Sequence, residues 1–93
     1  MTRYMVIETF FENCIENVYE RFHDKGRMLP DGLHYLNSLL TKDGSRCFQL
    51  METDQFELFQ EWTKNWDDLI QFEILEIGEK PKKGGSTSSE TNS

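Results

Sequence analysis

Apolar and polar positions alternate along this chain with two different periods, and the changes of period mark out its elements. Tyr4 to Thr9 is a short apolar run rich in Met, Val and Ile, as expected of a buried strand. Ile15, Val18, Tyr19 and Phe22 then recur at helical spacing, with Glu16, Glu20, Arg21 and Asp24 on the other side. Asn13 stands three residues before Glu16, a capping-box spacing, and Gly26 is a natural C-terminal stop. Arg27 to Gly32 is a connector, because Pro30 cannot continue a helix and Gly32 permits a turn. Leu33 to Thr41 and Arg46 to Glu52 read as strands joined through Asp43-Gly44, a strong hairpin signal. With those two residues at the tip, Lys42 faces Ser45, Leu40 faces Cys47, Ser38 faces Gln49 and Leu36 faces Met51. Thr53 or Asp54 is placed to cap a second helix, with Glu57 three residues beyond Asp54. Its stripe is Leu58, Phe59, Trp62 and Trp66, and Leu69 to Ile77 reads as a fourth strand.

The order is β-α-β-β-α-β, so the expected fold is α+β and ferredoxin-like: a four-stranded antiparallel sheet with two helices on one face. Each helix has a single apolar stripe, which suits a layer covering one face only. Side chains alternate across a strand. The expected inner set is Phe48, Leu50, Leu39, Asn37, Phe72 and Ile74, with Met5 and Ile7 from the first strand. The opposite face then collects His34, Leu36, Ser38, Leu40, Cys47, Gln49, Met51, Gln71, Glu73 and Leu75, with Tyr4, Val6 and Glu8. Strand one alone does not fix its own register, and a slip of one residue inverts it. This second set is too apolar for water and too polar for a sealed core. A second copy of the sheet packed against it covers such a patch.

Composition narrows the function classes. The 93 residues make one small domain over 1–78, followed by a Lys, Gly, Ser, Thr and Asn tail over 79–93 that is expected to be disordered. A monomer of this size buries only about 60–65% of its unfolded surface, so self-association would help it. The formal charge is −7, and the tail contributes three lysines against two glutamates, leaving the domain near −8. Such a body repels nucleic-acid phosphates and anionic membranes. Strand three lacks the basic residue, Gly and alternating aromatics of an RNA-recognition sheet. No phosphate loop, nucleophile elbow, C-x-x-C or metal-ligating His set is present, so neither cofactor nor metal is expected. Cys14 and Cys47 form no disulfide framework, and neither a signal peptide nor a membrane span is visible; the expected location is cytoplasmic.

Several residues invite chemistry, each beside a plainer reading. Gln49 can orient a carbonyl or amide, or simply bond Ser38 across the hairpin. His34 can act as a base near neutral pH, and its plainer reading is an edge histidine in water. Glu8 and Glu73 can form a carboxyl pair with one raised pKa, or be two solvated carboxylates. Met51 and Leu36 would supply apolar lining. Cys47 reads as a small buried residue rather than a nucleophile, and Trp62 and Trp66 as core. Arg27 can bind an anion or lie against helix C-terminal carbonyls. Arg46 reads as a surface cation facing Thr41.

Gly26-Arg27-Met28-Leu29-Pro30, then Asp43-Gly44 leading into Arg46-Cys47-Phe48-Gln49-Leu50-Met51-Glu52-Thr53, then Trp66, Asp68-Leu69 and Phe72-Glu73, resemble a family of short prokaryotic proteins of unknown function. The likeness spans about Tyr4 to Ile77. That family looks like a member of the dimeric α/β-barrel superfamily, in which two ferredoxin-like protomers pack sheet to sheet. Its relatives include cofactor-free monooxygenases, muconolactone isomerase-like enzymes and stress-related proteins. The resemblance implies a homodimer and transfers no catalytic residue, since fold does not carry function. The expected activity is therefore small-molecule binding, or catalysis without a cofactor, in a cavity between the sheets of the dimer. The candidates are Gln49, His34, Glu8 and Glu73, lined by Met51 and Leu36. The alternative is a non-catalytic dimerisation or regulatory module whose inter-sheet space is filled.

Overall fold

A computed structural model describes residues 1–12 and 14–78. Six elements follow in order: β1 (Thr2–Phe10), α1 (Ile15–Lys25), β2 (His34–Leu40), β3 (Arg46–Thr53), α2 (Glu57–Thr63) and β4 (Ile70–Ile77). The four strands form one antiparallel sheet in the order β2-β3-β1-β4, the ferredoxin-like α+β arrangement expected from the pattern. The proposed cap Asn13 and the tail over 79–93 lie outside the described residues.

Gly26 ends α1 as expected: at φ 68° it adopts a conformation that suits glycine, and its N–H returns to the Phe22 carbonyl at 2.7 Å. The start of α2 differs from expectation. Phe56 occupies the N-cap position without a side-chain bond. Thr53 instead accepts the Gln55 N–H at its Oγ1 (3.1 Å), which turns the chain out of the sheet before the helix begins.

The hairpin register holds near its tip, where Leu40 faces Cys47 and Ser38 faces Gln49. The loop is longer than a two-residue turn, because Thr41 and Arg46 close it through Thr41 N–H to the Arg46 carbonyl (2.8 Å). Asp43 Oδ1 gathers the Ser45 N–H, the Ser45 hydroxyl and the Thr41 hydroxyl within 2.9 Å, which holds its carboxyl down at about 2. Gly44, at φ 76°, supplies the left-handed step. Further along, the expected pairing of Leu36 with Met51 fails. Leu36 is the extra residue of a bulge, so Tyr35 faces Met51 and His34 faces Glu52. Asn37 stabilises the irregularity by accepting the Ser38 N–H at its side-chain oxygen (2.8 Å).

The two sheet faces are exchanged relative to expectation for strands one and three and for Asn37 to Leu40 of strand two, where Ser38 and Leu40 turn to the helices and Asn37 and Leu39 to the open face. Tyr4, Val6 and Glu8 of β1 and Gln49, Met51 and Thr53 of β3 are buried under the helices. Phe72 and Ile74 join them from β4, as expected. Phe48, Leu50, Met5 and Ile7 lie on the open face with Leu39, Leu75 and Ile77. The reason is volume. Phe59, Trp62 and Trp66 already bring large rings to the layer, so the sheet beneath them presents mostly smaller or narrower side chains such as Val6, Met51 and Thr53. Tyr4, Phe56, Phe59, Trp62 and Phe72 pack as a chain of rings with centroids 5.0–6.3 Å apart. No helix among the described residues is long and apolar enough to cross a membrane.

Candidate functional site

The half of the helix layer under α1 is hollow. Of α1's residues only Val18 is fully buried, and Tyr19 and Phe22 keep about half their surface. Between this helix and the sheet lies a cavity of about 290 Å³. Its floor is Glu8, Gln49, Cys47 and Ser38, its back wall Trp62 and Trp66, and its rim Tyr19, Phe22 and Leu40. Aromatic walls around a few converging polar groups are the usual build of a small-molecule site.

Glu8 is the most perturbed group in it. Its side chain comes from the central strand, where β3 and β4 flank it on either side. Burial pushes its carboxyl from 4.5 up to about 7, against the opposing pull of the Arg27 charge. No protein hydrogen bond contributes to that shift. Since no buried side-chain oxygen or nitrogen among the described residues lacks a partner, the free Glu8 oxygens open into the cavity. Gln49 lies beside it on β3, opposite Val6, and donates from Nε2 to the Met51 sulfur at 3.3 Å. A thioether is a weak acceptor, so most of the amide's bonding capacity stays available. Cys47 is held as a thiol: burial raises its pKa first, and the Glu8 charge raises it further.

Arg27 enters from the connector after α1. Both tryptophan indoles donate to its backbone carbonyl, Trp62 at 2.9 Å and Trp66 at 3.1 Å. The following residue, Met28, sits at φ 60°, a strained conformation for a non-glycine side chain, which redirects the chain beyond this clamp. The guanidinium stacks on the Tyr35 ring at 3.6 Å and stands 5.1 Å from Phe22. Tyr35 reaches this position because of the Leu36 bulge, and its hydroxyl pairs with Ser38 at 2.7 Å.

Of the six residues singled out from sequence, Glu8 and Gln49 meet in the cavity. Met51 is buried just behind Gln49. His34 and Glu73 lie on the opposite face of the sheet, and Leu36 is exposed at the bulge. The Glu8–Glu73 pair does not form: Glu8 faces Phe72 while Glu73 faces Ile7, one step out of phase. Glu8 has its raised pKa nonetheless, from burial alone rather than from a second carboxylate. The cross-strand bond between Gln49 and Ser38 is also replaced, because each finds a partner on its own strand. Arg27 stands in the sequence as a possible anion ligand or a contact for helix C-terminal carbonyls, outside the six candidates. Its place is set by the two tryptophans four apart, which hold its carbonyl, and by the Leu36 bulge, which brings Tyr35 to it.

Residues 2–77 match the family described as a domain of unknown function, DUF3303, and the chain belongs to that family. No curated protein matches it.

Proposed function

We propose that this protein binds a small organic molecule in the cavity between α1 and the sheet, with Glu8, Gln49 and Arg27 as the polar contacts. The cavity expected from the sequence lies between the sheets of a dimer, whereas this hollow lies on the helix side. The observation that carries the reading is a buried carboxyl, ionising near 7, whose oxygens open into an aromatic-walled space. Binding to the native state alone raises its apparent stability. A thermal-shift screen of small fragments is expected to yield ligands that raise Tm. The same ligands should lose their effect on Cys47→Phe, which fills the floor. A screen in which no fragment shifts the wild type, or in which Cys47→Phe responds equally, removes the basis of the reading.

Self-association, the second element of the proposal, uses the opposite face of the sheet and so coexists with the cavity. Met5, Ile7, Phe48, Leu50 and Leu75 form an apolar field there, and Leu39 is 70% exposed. Arg3, Arg46, Glu52 and Glu73 surround it with both signs of charge, a rim that suits a two-fold copy of itself. Sedimentation is expected to give a dimer at micromolar concentration and a monomer for Leu50→Glu. A wild-type monomer would sink the dimer and leave the cavity reading untouched. A dimer of this kind is also what membership of the dimeric α/β-barrel superfamily would entail.

A further inference from the structure

The ligand class can be narrowed, on the premise that the cavity is a binding site. Arg3 and Arg21 each have a carboxylate partner, Glu52 and Asp68. Arg27 has none among the described residues, in a chain of net charge −7. Its guanidinium rests between two rings at the cavity wall with its N–H fork free, the geometry that receives a carboxylate bidentately. Glu8 shares the cavity, close enough for its ionisation to respond to Arg27, yet no ion pair joins them. A group that accepts from Arg27 on one side and from an un-ionised carboxyl on the other fits between them. At about 290 Å³ the cavity lies at the small end of ligand pockets, which run ~300–1,000 Å³, and suits a compact ligand such as one ring bearing one carboxylate. Trp62, Trp66 and Phe22 offer ring faces and edges to that ring.

We infer that the cavity takes the anion of a compact single-ring aromatic acid, its carboxylate held by Arg27 and accepting a hydrogen bond from the acid form of Glu8. The groups facing Glu8 leave it as the proton acceptor on binding. Arg27 brings the guanidinium, burial and the Glu8 charge hold Cys47 as a thiol, and Tyr19 contributes a phenol from α1. From α2 and β4, Trp62 and Ile70 carry no titrating group. An entering anion therefore draws a proton onto Glu8.

The test uses the full chain with benzoate, neutral benzamide and cationic benzylamine. Binding is followed through the two tryptophans, both at the cavity wall, and by calorimetry. Benzoate is ionised from pH 6 to pH 8, so its affinity is expected to fall roughly tenfold across that range as Glu8 loses its proton around pH 7. Calorimetry in buffers of different ionisation enthalpy should show proton uptake. Glu8→Gln, which keeps a donor and removes the charge, should bind benzoate without pH dependence. Arg27→Gln should lose at least tenfold in affinity, and Arg27→Lys, which keeps the charge without the fork, should fall between. Preference for benzamide or benzylamine overturns the acid class while leaving a working cavity. Benzoate binding indifferent to Arg27→Gln in a variant with a normal thermal transition overturns it as well. If none of the three probes binds, the inference fails, and a blank fragment screen beside it takes the cavity reading with it.

Discussion

The two helices lie on the same face of one sheet and do opposite things. α2 is seven residues long and buries Phe59 and Trp62 in a continuous run of rings reaching from Tyr4 to Phe72. α1 is eleven residues long and buries only Val18. It is moored at its side: Arg21 makes two 2.8 Å bonds to Asp68, a third to the Asn65 carbonyl, and lies 5.7 Å from the Trp66 ring. The shorter helix thus carries the cohesion, and the longer one spans a space. The contrast teaches that helical periodicity announces a helix without saying how much of its stripe is used for packing. Tyr19 and Phe22 satisfy the pattern of a core face and stand at the rim of a cavity.

The contrast can be broken at its strongest point first. Phe59→Ala removes the ring at the centre of the α2 packing and is expected to cost about 3–5 kcal/mol, seen in denaturant unfolding. A loss below about 1 kcal/mol would mean that α2 is not the cohesive half.

Glu8 comes next. Its folded pKa lies above its unfolded one, so its protonated form favours the native state. That advantage is complete below about 4.5 and is lost as pH rises through about 7. At 1.36 kcal/mol per unit, the native state gives up about 3 kcal/mol across that window, on the order of a fifth to two thirds of a small domain's stability. Glu8→Gln should therefore be more stable than wild type at pH 8, equal to it at pH 4, and flat in between as far as this site is concerned. A wild type whose stability does not decline over that window would show the carboxyl to be solvated.

The smallest effect is local. Arg21→Ala unmoors α1 at its exposed side, with little change in the global transition. Amide exchange over α1 is expected to quicken, while that over β1 and α2 stays as it was. Equal acceleration in both helices would make them one cooperative unit and dissolve the comparison.

Much of this architecture was legible in the sequence because its signals are local. Asp43-Gly44 set the hairpin register correctly as far as Ser38. Gly26 ended α1, and the stripe of Phe59 and Trp62 identified α2. What was not legible depends on volumes and on single irregularities. Alternation divides a strand into two sets without saying which set meets the helices. Phe48 and Leu50 are the greasier pair on β3, yet Gln49 and Met51 go inward because α2 supplies the bulk. The Leu36 bulge shifts the register by one, moves His34 away from the site and brings Tyr35 to Arg27. Glu8 was singled out for a partner it does not have, and its chemistry comes from burial, which the sequence does not display.

The Leu36 bulge also bears on how the molecule keeps to itself. β2 is an edge strand of the sheet, and its outer side would offer another chain a ready row of N–H and C=O groups. An extra residue in the middle of seven interrupts that row and twists the strand out of plane. At the other border β4 runs without a break but carries Glu73 and Glu76. Sideways stacking into fibrils is thus discouraged by shape at one margin and by charge at the other.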